Sequence, residues 1–366
     1  MSILIFLLVL FVLVLVHELG HFAVAKWTGM RVDEFGIGFP PKLFGIRRGE
    51  TEYTFNLFPI GGFVKIYGED SLVEGTEGST SDTGGRSFIS KSKWAQSAVL
   101  VAGISMNILF AWMLIALAFG LGVKGAVSEA DATDTAVLAI TDVLPGGPAD
   151  TAKLPSGAVI QEVHANDDSL MTLTPSAFSG FIEAHSGTPV TIAYTLKGEM
   201  RMVQIVPQGG VIEHSPRPAI GVALTLVDTV SRSLPEAIID ASVYTVTAIR
   251  DVTFGIGNLL ADIVKRRADF SQVSGPVGIV GLVDEASSYG FTALLMFTAF
   301  ISLNLAVINI LPFPALDGGR LLFVLIEAVK GTPIKAQYVA VLNTVGFCLL
   351  ILLMVLVTWN DIAKLL

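Results

Sequence analysis

Four uninterrupted apolar runs, at residues 3–25, 94–123, 291–311 and 339–359, constrain this chain more than any other feature. A helix needs about 17–25 mostly apolar residues to cross the hydrocarbon of a bilayer, and each run supplies them. The remaining composition agrees: 52% of the 366 residues are hydrophobic and only 15% charged, against about 25% charged in soluble domains. A soluble globular fold is excluded. A net charge of −9 makes nucleic acid an unsuitable partner. Cys348 is the single cysteine, so neither an intrachain disulfide nor a cysteine metal site is available. A fifth stretch, 234–264, is interrupted by Glu236, Asp240, Arg250, Asp251 and Asp262. It reads as an amphipathic helix lying on the surface.

Basic residues in short flanking loops set orientation. None precedes the first run, whereas Lys26, Arg31, Lys42, Arg47, Arg48, Lys65, Arg86, Lys91 and Lys93 separate the first from the second. That segment is expected in the cytoplasm, as is the connection carrying Arg320, Lys330 and Lys335. Both termini and the long middle segment are then extracytoplasmic, in a multi-pass protein of the inner cell membrane. The middle segment, 124–232, holds 6 basic and 12 acidic residues, in keeping with export. The first run reads as a retained span and not a cleaved signal, because it lacks a basic leader and runs directly into His17-Glu18.

His17-Glu18-Leu19-Gly20-His21 is an H-E-x-x-H pattern. On a helix, residues i and i+4 lie about 40° apart, so both imidazoles can face one metal ion with Glu18 beside them as a base. An ionisable residue inside a spanning helix costs about 2.5–3.5 kcal/mol on insertion scales, so Glu18 between two histidines there needs a function. Catalytic zinc usually takes three protein ligands and leaves a fourth position for water. Asp317 is the expected third ligand. It closes Asn309-Ile310-Leu311-Pro312-Phe313-Pro314-Ala315-Leu316-Asp317 at the end of the third run, at the same inner depth as the histidines. Pro312 and Pro314 should break the helix ahead of the aspartate, and non-helical backbone at membrane depth implies a hydrated cavity. The alternative is a proline-terminated helix in which Asp317 merely caps its successor.

With these motifs in hand, the chain resembles the site-2 protease family of intramembrane zinc metalloproteases, most closely the bacterial branch typified by the regulator of sigma-E protease. The likeness covers nearly the whole length. It includes Phe55-Asn56-Leu57-Phe58-Pro59-Ile60-Gly61-Gly62-Phe63-Val64-Lys65, Ser274-Gly275-Pro276-Val277-Gly278-Ile279 and an external PDZ-like insert. The resemblance implies Zn2+ held by His17, His21 and Asp317, Glu18 as catalytic base, and an important asparagine at Asn309. The second run departs from relatives that read Ala-Gly-Pro: Ala102-Gly103-Ile104-Ser105-Met106-Asn107 keeps the asparagine and lacks the proline.

The expected fold is therefore a multi-pass membrane protein with four transmembrane α-helices, a membrane-associated β-hairpin region and one inserted extracytoplasmic PDZ-like, mainly β, domain. The divisions are span one with HELGH at 1–25, the β segment at 26–93, span two at 94–123 and the PDZ-like domain at 126–229. An amphipathic connection follows at 230–290, then span three with the aspartate motif at 291–319 and span four at 336–360. The PDZ reading rests on Val143-Leu144-Pro145-Gly146-Gly147-Pro148-Ala149 and Leu154-Pro155-Ser156-Gly157-Ala158-Val159-Ile160, where Ala158 replaces the usual aspartate. Strands are expected at 190–196 and 200–206, joined by a turn at Lys197-Gly198-Glu199. His164, His185 and His214 have no ligand spacing and read as ordinary polar residues.

The expected activity is hydrolysis of a peptide bond within the transmembrane segment of single-span membrane proteins, such as an anti-sigma factor or a remnant signal peptide. An unwound substrate needs replacement hydrogen bonds in hydrocarbon. The stretch 52–65 should form a hairpin turning at Pro59 and Gly61-Gly62, with its edge at Phe63 and Val64 pairing with substrate. Asn309, Pro312 and Pro314 complete the expected substrate-binding set. The PDZ-like domain would bind a peptide or screen the size of a substrate ectodomain. The rival functions are a non-catalytic PDZ membrane scaffold and a metal transporter. A scaffold has no use for Glu18 and Asp317 at matched depth, and a transporter would carry ionisable groups in the centres of spans two and four.

Overall fold

The computed structural model describes residues 2–69, 85–196, 198–211, 215–265, 267 and 274–365. The chain divides into two compact units, Met1–Ala118 with Ser233–Leu366, and Phe119–Arg232. The first opens with helix α1 (Ser2–Trp27), strands β1 (Val32–Arg48) and β2 (Thr51–Ile66), a 3-10 turn (Phe88–Ser90) and helix α2 (Lys93–Leu121). Apolar residues surround α1 and α2 on all sides, as expected of helices immersed in hydrocarbon. A buried cluster of Ala25, Met30, Val32, Ile66, Phe88, Val99, Leu100 and Val324 ties these elements together near the second histidine.

The β1–β2 sheet corrects the hairpin expected within 52–65. The chain does reverse between Phe58 and Gly62, but its two arms do not pair with each other. Gly36 has partners on both sides, Thr54 on one and Phe63 on the other, and Phe35 likewise faces Tyr53 and Val64. Residues 34–37 of β1 therefore lie between two stretches of β2. The far stretch of β1 folds back in turn, pairing Phe44 with Phe55 and Arg48 with Thr51 around the Gly49-Glu50 turn. The partner strand lies outside the segment, so spacing within 52–65 cannot reveal it.

The second unit contains β3 (Val123–Val127), β4 (Val137–Val143), α3 (Pro148–Thr151), β5 (Val159–Ala165), β6 (Asp168–Ser169) and α4 (Pro175–Ala184). It ends with β7 (Val190–Leu196), β8 (Glu199–Ile205) and β9 (Val222–Val230). The strands form one antiparallel sheet in the order β3-β9-β4-β5-β7-β8, with β6 beside β5. Strand β3 starts before the expected boundary at 126, because Val123 pairs with Val230 as the chain enters and leaves the unit. Lys197, in the expected turn, lies outside the described residues, while Gly198 takes the positive φ of 84° that a tight turn demands. The core gathers Ile140, Ile160, Phe178, Ile192 and Tyr194 with their neighbours.

Buried Asp228 ties this unit together. Its carboxylate accepts from the Thr133 amide at 2.9 Å, the Thr133 hydroxyl at 2.7 Å and the Thr135 hydroxyl at 3.0 Å. Those bonds, led by the Thr133 hydroxyl, hold its pKa down at about 2. A depressed carboxylate stabilises the fold fully above its unfolded pKa of about 3.9 and loses that contribution as pH falls toward 2. Hydrogen exchange of 133–135 and 222–230 in the intact chain should accelerate as pH drops from 5 to 2.5, beyond the intrinsic change. In Asp228→Asn it should already be fast at pH 5, and equal protection in the two proteins would contradict the assignment.

The chain returns to the first unit through α5 (Leu234–Val264), α6 (Pro276–Ser288), α7 (Phe291–Ile310), α8 (Asp317–Lys330) and α9 (Ala336–Leu365). The helices α1, α2, α7 and α9 are long and apolar enough to cross a membrane. Helix α5 is not merely laid on a surface: its first half buries Ala237, Ala241 and Thr245 along one stripe, and Trp112 of α2 donates to the Ser242 hydroxyl at 3.0 Å. The Ser274–Ile279 motif also finds its reason. Buried Asp361 of α9 accepts from the Gly278 amide at 2.8 Å, and a side chain at Gly275 would meet that carboxylate at 2.8 Å. The division expected at 291–319 holds a helix, a break and the start of a second helix. Pro312 and Pro314 withhold amide hydrogens, so α7 stops at Ile310 and α8 begins at Asp317.

Candidate metal centre

His17 and His21 leave the same face of α1 one turn apart, with their Nε2 atoms 3.1 Å apart and their rings edge to face at 81°. His21 is buried, and its Nδ1–H donates to the Val99 carbonyl of α2 at 2.8 Å. That bond leaves the Nε2 lone pair for a cation. Two glycines bring α2 this close. A methyl group at Gly20 would fall 2.5 Å from the Ala102 carbonyl oxygen, and one at Gly103 would fall 2.3 Å from His21 Nε2 and 2.8 Å from His17 Cε1. Small residues where spanning helices cross are the usual device for such an approach.

Asp317 arrives on a different element. After α7 the chain turns through Pro312 and Pro314, Ala315 takes a positive φ of 73°, and Asp317 opens α8. Gly319 lies where a side chain would strike the Phe313 carbonyl at 2.2 Å. Helix α9 supports the turn: Asn343 Oδ1 accepts from the Ala315 amide at 3.2 Å, and Gly346 packs on the Pro314 carbonyl. Asp317 Oδ2 thereby comes within 3.0 Å of His17 Nε2 and 3.3 Å of His21 Nε2.

The proximity is not hydrogen bonding, for Asp317 Oδ2 is buried and receives no properly directed hydrogen bond among the described residues. A buried carboxylate oxygen is costly in that condition, and a cation relieves it. Zinc bonds of about 2.0–2.2 Å at tetrahedral angles separate ligands by about 3.3–3.5 Å. The three edges here are 3.0, 3.1 and 3.3 Å. Two imidazole nitrogens and one carboxylate oxygen suit zinc and leave a fourth position for water or substrate. Among the described residues, His17, His21 and Asp317 form the one cluster of histidine, cysteine and acidic side chains that could hold a metal ion.

Glu18, next to both ligands, is within electrostatic reach of His21, His17 and Asp317. Its Cγ lies 3.9 Å from where a side chain on Gly62 would begin, so β2 passes close to it. Phe63 stacks on Phe39 at 6.4 Å, and Val64 packs on the buried cluster. Asn309 is half-buried in the last turn of α7, Pro312 is exposed and Pro314 half-buried. Sequence reasoning missed Gly103, Asn343 and an ion pair from Arg320 of α8 to Glu69 beyond β2 at 2.5 Å. For Gly103 a signal exists: glycine amid the apolar residues of a spanning run marks a close helix contact. His164 and His185 pair with Glu162 and Asp168 in the second unit, far in sequence from the ligands, and His214 lies outside the described residues.

A carboxylate joined to a helical H-E-x-x-H pair, with a free acid alongside, is the equipment of a metallopeptidase. The particular kind follows from comparison: the model of Peptidase family M50 matches residues 5–353, and the chain belongs to that family. Zinc metalloprotease RasP of Oceanobacillus iheyensis is 30% identical over 433 aligned residues, covering 98% of this chain and 98% of that one. The regulator of sigma-W protease RasP of Bacillus subtilis is 28% identical, with the same 98% coverage of each. Among solved structures, the PDZ domain of an SdrC-like protein from Listeria monocytogenes matches 26% of this chain and 92% of its own, at 22% identity and a TM-score of 0.21.

Proposed function

We propose that the chain is a zinc endopeptidase that cuts single-span membrane proteins within their transmembrane segment, near the cytoplasmic face. The observation that carries this reading is the triangle of His17, His21 and Asp317 around a buried carboxylate oxygen, on helices apolar enough to span. Both termini and the PDZ-like unit lie outside the cell, in keeping with the basic residues between the first two spans. Zinc, when bound, polarises the scissile carbonyl and lowers the pKa of water to about 7. Glu18 takes the proton of the attacking water and returns it to the leaving amine.

The rest of the site unwinds and holds the substrate. A helix opened for hydrolysis exposes amide and carbonyl groups that cost several kcal/mol each in hydrocarbon unless paired. The 62–66 stretch of β2 is bonded to β1 on one side and runs past Glu18, so its outer edge can take the extended substrate as an added strand. Phe63 and Val64 lie on this stretch. Asn309, which makes no side-chain hydrogen bond among the described residues, pairs with the substrate from the other side. Pro312 and Pro314 keep the intervening backbone out of a helix, and the PDZ-like unit excludes substrates whose external part is still bulky.

The test is metal content and cleavage of a single-span reporter by the intact protein in detergent. About one zinc per chain is expected, chelation should stop cleavage, and added zinc should restore it. Asp317→Ala and His21→Ala should lose the metal and the activity together. Cleavage persisting in metal-depleted Asp317→Ala would overturn the reading.

A further inference from the structure

The two histidines are held from behind by different groups, and one of these has no assigned role. His21 Nδ1 has the Val99 carbonyl. His17 Nδ1 has only the Asn107 side chain, whose Nδ2 lies 3.4 Å away. Asn107 is 1% exposed, and its Oδ1 is buried without a hydrogen-bond partner among the described residues. Its backbone carbonyl is committed separately, accepting from the Ser302 hydroxyl of α7 at 2.8 Å.

A neutral imidazole that gives its Nε2 lone pair to a cation carries its one proton on Nδ1, and that N–H needs an acceptor. The orphan amide oxygen is one half-turn of the carboxamide away, and the two ends of an amide are nearly equal in size. We infer that Asn107 is the positioning residue of His17, its Oδ1 accepting from Nδ1–H and fixing the ring so that Nε2 faces the metal. The rotation removes the unpaired oxygen, replaces a long contact with a normal hydrogen bond of about 2.9 Å, and moves no charge. The Nδ2 group then takes the buried place the oxygen held, and the bond gained to the imidazole is what favours this orientation. This inference rests on the proposed zinc site, and it explains why an asparagine sits fully buried in a spanning helix, where an unpaired amide is costly.

The test is zinc affinity of the detergent-purified full chain by competition with a chromophoric chelator, alongside cleavage at limiting and saturating zinc. Asn107→Leu, close in size but with no acceptor, should bind zinc about 10- to 100-fold more weakly, the usual cost of losing an outer-shell partner. Its cleavage should recover substantially when zinc is saturating. Asn107→Asp, which restores an acceptor, should bind at least as tightly as the parent. Ser302→Ala, which removes the bond between α2 and α7 but leaves the amide, should bind like the parent. Parent-like affinity in Asn107→Leu, or equal weakening in the Leu and Asp variants, would overturn the inference. A parent that binds no zinc would instead overturn the proposed function.

Discussion

Glu18→Gln is expected to retain its full complement of zinc while cleavage falls by about 10³- to 10⁴-fold, the upper range for general acid–base catalysis. The substitution is nearly isosteric and leaves His17, His21 and Asp317 in place, so the metal has no reason to depart. An amide cannot take up the proton of the attacking water, and Glu18 stands beside His17 on α1, next to the place proposed for that water. Metal analysis and a cleavage assay on one preparation check both halves. Full turnover in this variant would remove Glu18 from the chemistry, and loss of zinc would make its role structural.

Gly103→Ala should be almost as damaging, through a single methyl group. The added carbon would sit 2.3 Å from His21 Nε2 and 2.8 Å from His17 Cε1, inside any tolerable contact. Rings at the ends of flexible side chains could swing aside, but His21 is pinned to the Val99 carbonyl at 2.8 Å. Relief requires breaking that bond or separating α1 from α2, and overpacking of this kind typically costs about 1–3 kcal/mol. Zinc affinity should fall by about 100-fold, the upper end for changes just outside the ligand set. Gly120→Ala, in the same helix and with open space around it, is the control and should bind zinc normally. A Gly103→Ala protein that binds zinc like the parent would show that the helices separate more easily than their packing indicates.

The cluster of His17, His21 and Asp317 was legible in the sequence because each part obeys a local rule. The four-residue spacing of His17 and His21 follows from helical periodicity, and the two prolines before Asp317 signal the end of a helix at the depth the histidines occupy. The β1–β2 register was not legible. Whether Phe63 pairs with Gly36 or across its own turn depends on a partner about thirty residues upstream, and no pattern within 52–65 distinguishes the two. Gly103 and Asn107 were visible as residues but not as parts of the site, since their meaning depends on how closely α2 crosses α1. The carboxylate of Asp361 capping α6 was hidden for the same reason, being eighty-odd positions from the glycines it meets.

In the proposed site the third ligand enters only with α8, after the whole of the unit Phe119–Arg232, whereas the two histidines belong to α1. On the proposed function, a nascent chain that has only α1 carries two of the three ligands and should not act on neighbouring proteins until α8 has been made. An ion held by all three side chains would staple α1 to the start of α8 and close the intervening polypeptide into a ring. Since Asn343 and Gly346 of α9 support the turn that presents Asp317, the onset of activity would wait for that last helix as well.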